Sequence, residues 1–201
     1  MDQSAIPEGM KPYDWNEATG LARRFIPGQP NGMHTLTGLA HDRSSHVAYD
    51  PESNEESIHF RSLKLAALQR TLKTPPVFGG PEGDLLVIGW GSTQGAIEEA
   101  VASLRAEGRK VSSMHLRFLQ PLPGGIKEIM QRFRKVITFE GNWCDRPGDA
   151  IIDAANRRYS ALAQLLRART LIDVDCWGEV KGQPIKPGTI RRVLLDKLKP
   201  Q

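Results

Sequence analysis

The stretch Asp84-Leu-Leu-Val-Ile-Gly-Trp-Gly-Ser-Thr-Gln-Gly95 decides how this 201-residue chain is read. Leu85 to Ile88 is an apolar run bounded by charge and glycine, short enough for a strand buried on both faces. Gly89 and Gly91 carry no Cβ and let the backbone turn sharply. Ser92 or Thr93 is then placed to cap a helix by accepting its first free N–H groups. That helix is expected from about Gln94 to Glu107, with Ala96, Ile97, Ala100, Val101 and Leu104 on one face and Glu98, Glu99 and Arg105 on the other. Gly108 is placed to end it. A strand, a glycine turn and a helix in this order begin a parallel α/β sheet.

The glycines also invite a nucleotide reading. Gly89-x-Gly91-x-x-x-Gly95 is one residue too long for the dinucleotide fingerprint, and Met114-His-Leu-Arg117 stands where an acidic ribose-binding residue belongs. No Gly-Lys-Ser/Thr is present for a phosphate loop. A tight turn into a packing helix is therefore the better reading. The alternative is a stand-alone small-molecule or nucleotide-binding α/β module, using the helix start at Gly91–Thr93 as an anion pocket.

Downstream, Lys110 to Phe118 reads as a second strand. Met114, Leu116 and Phe118 alternate there with His115 and Arg117, which predicts one wetter face. Pro121 and Pro123 close it. Ile126, Ile129, Met130 and Phe133 have helical spacing. Lys135-Val-Ile-Thr-Phe-Glu-Gly141 is a third strand, ending in Glu140, Asn142 and Trp143. A loop over Cys144–Asp149 leads to a helix over Asn156 to Ala168 that buries Tyr159, Leu162, Ala163 and Leu166. Leu171-Ile-Asp-Val-Asp-Cys-Trp177 alternates like an edge strand. Ile190, Val193, Leu194 and Leu198 mark a last helix. The fold class is α/β, a three-layer αβα sandwich with a mainly parallel sheet and right-handed crossovers. Ligands or partners of such sheets sit beyond the strand carboxyl ends. Those ends carry Gly91, Ser92, Thr93, Arg117, Gln120, Glu140 and Asn142, an expected partner- or anion-binding set. Arg117 and Glu140 read as a structural ion pair rather than a catalytic one.

Upstream, Pro7, Pro12, Pro27 and Pro30 break any helix, yet Tyr13, Trp15, Phe25, Ile26, Met33 and Leu36 are scattered among them. Apolar groups are unfavourable in water, and a disordered tail usually lacks them. Residues 1–50 are thus expected to form an extended arm that lies on its own domain or on a partner. His34, His41 and His46 stand seven and five apart, which matches no helical ligand pair, so hydrogen-bonding roles are expected for them. Asp50-Pro-Glu begins a helix with a cap, a proline and an acid in their favoured places. Its expected buried stripe is Ile58, Leu65, Leu68 and Leu72. Residues 74–83 are rich in Pro and Gly and read as a linker. The expected organisation is an arm over 1–50, a helix and linker over 51–83, and an α/β domain over 84–201.

Hydrophobic residues make up 39% of the chain and charged residues 25%. No apolar run is long enough for a bilayer span, and the amino terminus lacks a basic start and an apolar h-region, so a cytoplasmic location is expected. Two cysteines, without a Cys-x-x-Cys, hold neither an iron–sulfur cluster nor a structural zinc by themselves. Residues 1–83 carry 8 Lys/Arg against 10 Asp/Glu, and residues 84–201 carry 19 against 13, so the basic excess lies wholly in the second part. Those arginines come in ones and twos without interleaved aromatics, which speaks against nucleic acid. No Gly-x-Ser-x-Gly is present, and no Gly-Asp-Gly run with paired Asn exists to hold thiamine diphosphate through magnesium.

Several stretches taken together resemble a known family. They are Thr35-Leu-Thr-Gly-Leu-Ala-His-Asp42, Asp50-Pro-Glu52, Arg61-Ser-Leu-Lys64, Leu86-Val-Ile-Gly-Trp-Gly-Ser-Thr-Gln-Gly-Ala-Ile97, His115-Leu-Arg117, Pro121-Leu-Pro123, Glu140-Gly-Asn142, Gln164-Leu-Leu-Arg167 and Gly182-Gln-Pro184. In this order they resemble the carboxyl-terminal part of the alpha subunit of 2-oxoacid:ferredoxin oxidoreductases, the 2-oxoglutarate type above all. The resemblance implies a transketolase carboxyl-terminal-like domain. It implies a complete enzyme that cleaves a 2-oxo acid on thiamine diphosphate and Mg, forms an acyl-CoA and sends electrons through iron–sulfur clusters to ferredoxin. The alpha subunit's pyrimidine-binding amino-terminal domain does not resemble any part of this chain, nor does the thiamine-binding beta subunit. Both are the implied partners, together with a second copy of the chain; neither nucleic acid nor a membrane is among them. No catalytic, cofactor-binding or metal-binding residue is therefore carried over, and the chain alone is expected to be inactive.

Overall fold

The computed structural model describes residues 4–199. The chain divides into two compact units, Met1–Leu72 and Lys73–Gln201.

In the first unit, residues 4–50 run without regular secondary structure up to helix α1 (Pro51–Thr71). Asp50 caps α1 as expected, its carboxylate accepting the Ser53 N–H at 2.7 Å. The arm's apolar residues have a destination within this unit. Trp15 stacks on Phe60 of α1 with centroids 4.8 Å apart, and Ile6 and Phe25 are buried. Arg43 lies over both rings and is held by Glu56 at 2.7 Å and Glu17 at 3.1 Å. Gly20 comes so close to α1 that a Cβ would stand 2.2 Å from the Phe60 carbonyl oxygen. The expected stripe on α1 is a correction. Ser57 and Phe60 are its buried residues, whereas Ile58, Leu65 and Leu68 are exposed. The arm covers the Phe60 side of the helix, and periodicity alone cannot say which of two semi-apolar faces receives the cover.

The second unit is an αβα sandwich. A five-stranded sheet has the order β1-β3-β2-β4-β5, made of β1 (Val77–Phe78), β2 (Gly83–Trp90), β3 (Val111–Leu116), β4 (Phe133–Glu140) and β5 (Asp175–Gly178). All neighbours are parallel except the short β1, which runs antiparallel to β3. The proline- and glycine-rich stretch 74–83 thus supplies an edge strand. Helices α2 (Gln94–Ala106) and α5 (Pro187–Lys197) cover one face, over Leu85, Val87, Ile137 and Phe139. Helices α3 (Ile126–Met130) and α4 (Ala161–Thr170) cover the other, over Leu86, Ile88, Met114 and Val136. The alternation of Leu85 to Ile88 between the two cores is what a strand buried on both faces requires.

Three boundaries differ from expectation. Phe133 opens β4 instead of closing a helix, so α3 is only five residues long. Helix α4 begins at Ala161, and Tyr159 precedes it. Residues 172–174 lie outside β5, because Leu171 at φ +59° ends α4 in the left-handed region and the chain must turn back before pairing. The wetter face predicted for β3 is absent too. Val111 to Met114 and Leu116 are buried, and Phe118 falls beyond the strand with its ring exposed.

Candidate functional site

The chain leaves β2 for β3 on one side and returns to β4 on the other, with α2 and α3 on opposite faces. This puts the topological switch point between β2 and β4, where a crevice opens beyond the carboxyl ends of such sheets. The register Gly89↔Phe139 sets Trp90 level with Glu140 there.

On the β2 side, Gly91–Thr93 forms one 3-10 turn, entered at φ +61° by Gly91. The expected cap is not formed. The Thr93 hydroxyl donates back to the Trp90 carbonyl at 2.9 Å, and neither Ser92 nor Thr93 bonds a helix N–H through its side chain. Gly91 and Ser92 are exposed and Thr93 is buried.

On the β4 side stands Glu140, with no exposed surface. Its Oε1 accepts the Ser160 hydroxyl at 2.5 Å, the Thr138 hydroxyl at 2.8 Å and the Ala163 N–H at 3.2 Å. Its Oε2 accepts the Leu162 N–H at 2.8 Å and the Asn142 amide at 3.2 Å. A strand-end carboxylate thus supplies the cap of α4, where an anion is favoured by the free N–H groups and the helix dipole. Glu140 and Asn142 are brought together. Arg117 is exposed and follows β3, which β2 separates from β4, so among the described residues the expected Arg117–Glu140 pair is not formed. In place of the expected arginine, Glu140 takes donors from β4, from Asn142, from Ser160 and from the first turn of α4.

Beyond β4, Asp145 is buried and takes a bidentate fork from Arg158 (both 2.9 Å), the Arg158 N–H at 2.9 Å and the Trp143 indole N–H at 3.1 Å. The Arg158 guanidinium first, then these N–H donors, hold its carboxyl well below the usual range. Arg157 donates its Nε–H to the Asp145 carbonyl at 3.3 Å and reaches on to Asp175 Oδ1 at 2.8 Å, the Cys176 carbonyl at 3.2 Å and Cys176 Sγ at 3.6 Å. Cys144 and Cys176 are both free, both buried and members of the same core cluster. Sequence reasoning missed these two clusters, because Arg157 and Arg158 fall inside the helix expected over Asn156 to Ala168, while they actually precede α4. On β3, His115 carries a buried Nδ1 without a hydrogen-bond partner among the described residues, and burial holds its imidazole below the ordinary value. The three upstream histidines are apart in their bonding: His34 meets the Gly32 carbonyl, His41 meets Thr37, and His46 meets Asp42.

Among the described residues no group of three or more His, Cys, Asp or Glu stands close enough to hold a metal. No helix among them is long and apolar enough to cross a membrane.

Residues 83–171 match the family described as pyruvate:ferredoxin oxidoreductase core domain II. The chain is 35% identical over 180 residues to the 2-oxoglutarate oxidoreductase subunit KorA of Mycobacterium tuberculosis (strain ATCC 25618 / H37Rv), covering 87% of this chain and 24% of that protein. It is 28% identical over 168 residues to the alpha subunit of 2-oxoacid:ferredoxin oxidoreductase 2 of Aeropyrum pernix, covering 79% of this chain and 24% of that one. Among solved structures, the 2-oxoglutarate:ferredoxin oxidoreductase of Magnetococcus marinus, with 2-oxoglutarate, coenzyme A and succinyl-CoA bound, matches with TM-score 0.75 and 28% identity over 98% of this chain and 32% of that chain. The chain spans about a quarter of the length of these curated relatives. With these matches, the chain is a homologue of 2-oxoacid:ferredoxin oxidoreductase alpha subunits, and residues 83–171 are similar to the pyruvate:ferredoxin oxidoreductase core domain II.

Proposed function

We propose that this chain contributes a non-catalytic carboxyl-terminal domain to an alpha subunit of a 2-oxoacid:ferredoxin oxidoreductase, with 2-oxoglutarate as the substrate of the assembly. The observation that carries this reading is the state of Glu140. The carboxylate nearest the switch point already accepts five hydrogen bonds, two of them from the first N–H groups of α4, so both its oxygens are engaged within the fold. The next buried carboxylate, Asp145, is held by Arg158. Residues so engaged do not fit a magnesium–diphosphate group, and no step of thiamine chemistry is assigned to this chain. The strand ends serve packing, and Gly91, Ser92, Arg117 and Asn142 offer polar contacts to a partner.

The partners implied are the amino-terminal domain of the alpha subunit and a thiamine-binding beta subunit, which together would carry thiamine diphosphate, Mg and the acyl transfer to CoA. Co-purification with a thiamine-binding beta polypeptide, followed by assay of 2-oxoglutarate-dependent reduction of a viologen, tests this. The complex with the full alpha subunit is expected to turn over and the isolated chain to be inactive. Tight thiamine diphosphate binding by the isolated chain in calorimetry, or turnover of a 2-oxo acid by it, would sink the proposal.

A further inference from the structure

The two cysteines sit on segments that the backbone ties together independently of sulfur. The Glu179 N–H donates to the Glu140 carbonyl at 3.2 Å. Gly178 approaches the segment after β4 so closely that a Cβ would stand 2.1 Å from the Asn142 carbonyl oxygen and 3.3 Å from the Cys144 nitrogen. Cys144 and Cys176 therefore lie on two segments held side by side, within one core cluster. They are also the chain's only two cysteines.

The surroundings of the two sulfurs differ. Cys176 Sγ receives the Arg157 guanidinium at 3.6 Å, and Ser160, just before α4, also favours its thiolate. Its edge strand borders an open groove that also touches Arg146, Trp177 and Arg192. Thiolates are stabilised by cations and by helix N-termini. The neighbouring Cys144 thiol is the first cause that lowers the Cys176 value, and its own value is pushed up in turn.

We propose that Cys144 and Cys176 form a redox-active dithiol, which a small peroxide converts to a disulfide clamping the segment after β4 onto β5. The Cys176 thiolate attacks one peroxide oxygen. The O–O bond breaks, hydroxide leaves and takes a proton to become water, and Cys176 becomes a sulfenic acid. The Cys144 sulfur then forms the S–S bond as the S–O bond breaks, and its proton leaves with the hydroxide as a second water. The two cysteines lose two electrons and the peroxide gains them.

The test uses the full chain treated with hydrogen peroxide, followed by non-reducing peptide mapping and mass spectrometry. The expected product is a single intramolecular link between the Cys144 and Cys176 peptides, lighter by two hydrogens and reversed by dithiothreitol. In Cys144→Ser, dimedone is expected to trap a sulfenic acid on Cys176, several-fold faster than on Cys144 in Cys176→Ser. The proposal is overturned if both wild-type thiols remain alkylatable after unfolding, or if links form between chains instead. It is equally overturned if the two variants label at equal rates. The wild-type map alone decides the matter should either variant fail to fold.

Discussion

Glu140 Oε2 accepts the Leu162 N–H at 2.8 Å, so the carboxylate that ends β4 closes the first turn of α4. Ser160, which precedes that helix, donates its hydroxyl to the same carboxylate instead of capping the helix itself. Sheet and helix are coupled through one buried anion, and removing it leaves several buried donors unmatched. Glu140→Ala is therefore expected to lower the unfolding free energy by about 3–5 kcal/mol, since each buried donor left unsatisfied costs about 1–3 kcal/mol. Glu140→Gln presents an NH2 to some of the donors and should lose about 1–3 kcal/mol. Urea unfolding of the full chain measures both, and a loss below about 1 kcal/mol for the alanine variant would contradict the capping role.

The layers were legible in sequence because burial on both faces of a parallel strand leaves an unbroken run such as Leu85–Ile88, and because Ile97, Ala100, Val101 and Leu104 repeat with helical spacing. The site was less legible. Ser160 and Thr93 are caps by residue type, yet the first is displaced by a carboxylate twenty residues earlier and the second turns back on Trp90. Long-range capping leaves no local signal. The Cys144–Cys176 pair is equally silent, since it follows from β4 and β5 being neighbours and not from spacing. Arg117 and Glu140 were placed at strand ends correctly, but strand order, which β2 decides, separates them.

On α1, Phe60 is 2% exposed under Trp15, whereas Leu65 and Leu68 are 38% and 37% exposed. Phe60→Ala should accordingly cost about 3–5 kcal/mol. Leu68→Glu should change stability by no more than about 0.5 kcal/mol. Parallel denaturant titrations compare them, and the opposite ranking would restore the sequence-based stripe.

Acid should loosen the segment after β4. The Arg158 fork holds the Asp145 carboxyl below its ordinary value, so its ionised form is favoured more in the folded chain than in the unfolded one. A depressed acid contributes stability above the unfolded value of about 3.9 and loses it as pH falls through and below that point. Solvent screens the exposed Arg158 and tempers the effect. Asp145→Asn should lower the melting temperature at neutral pH and flatten its decline below about pH 4. Calorimetric melts across that range check the sign; a variant that declines as steeply as the parent would refute it.

Cys176 should alkylate with a midpoint below the value of about 8.5 for a free thiol. The Cys144 thiol is the largest cause, and the Arg157 guanidinium adds to it. Asp175 opposes Arg157 from the same strand, while Lys197 of α5 neutralises Asp175 from the other face at 2.6 Å. Arg157→Met removes the cation that touches the sulfur, so the midpoint should move up. The rate at pH 7 should then fall by roughly tenfold for each pH unit that the midpoint passes beyond neutrality. Arg157→Lys keeps a charge without the planar fork and should fall between the two. Iodoacetamide kinetics from pH 5 to 9, read peptide by peptide, would separate this from a packing effect. Loss of packing raises the Cys144 and Cys176 rates together at every pH, whereas loss of thiolate stabilisation slows Cys176 at neutral pH and leaves its high-pH plateau unchanged.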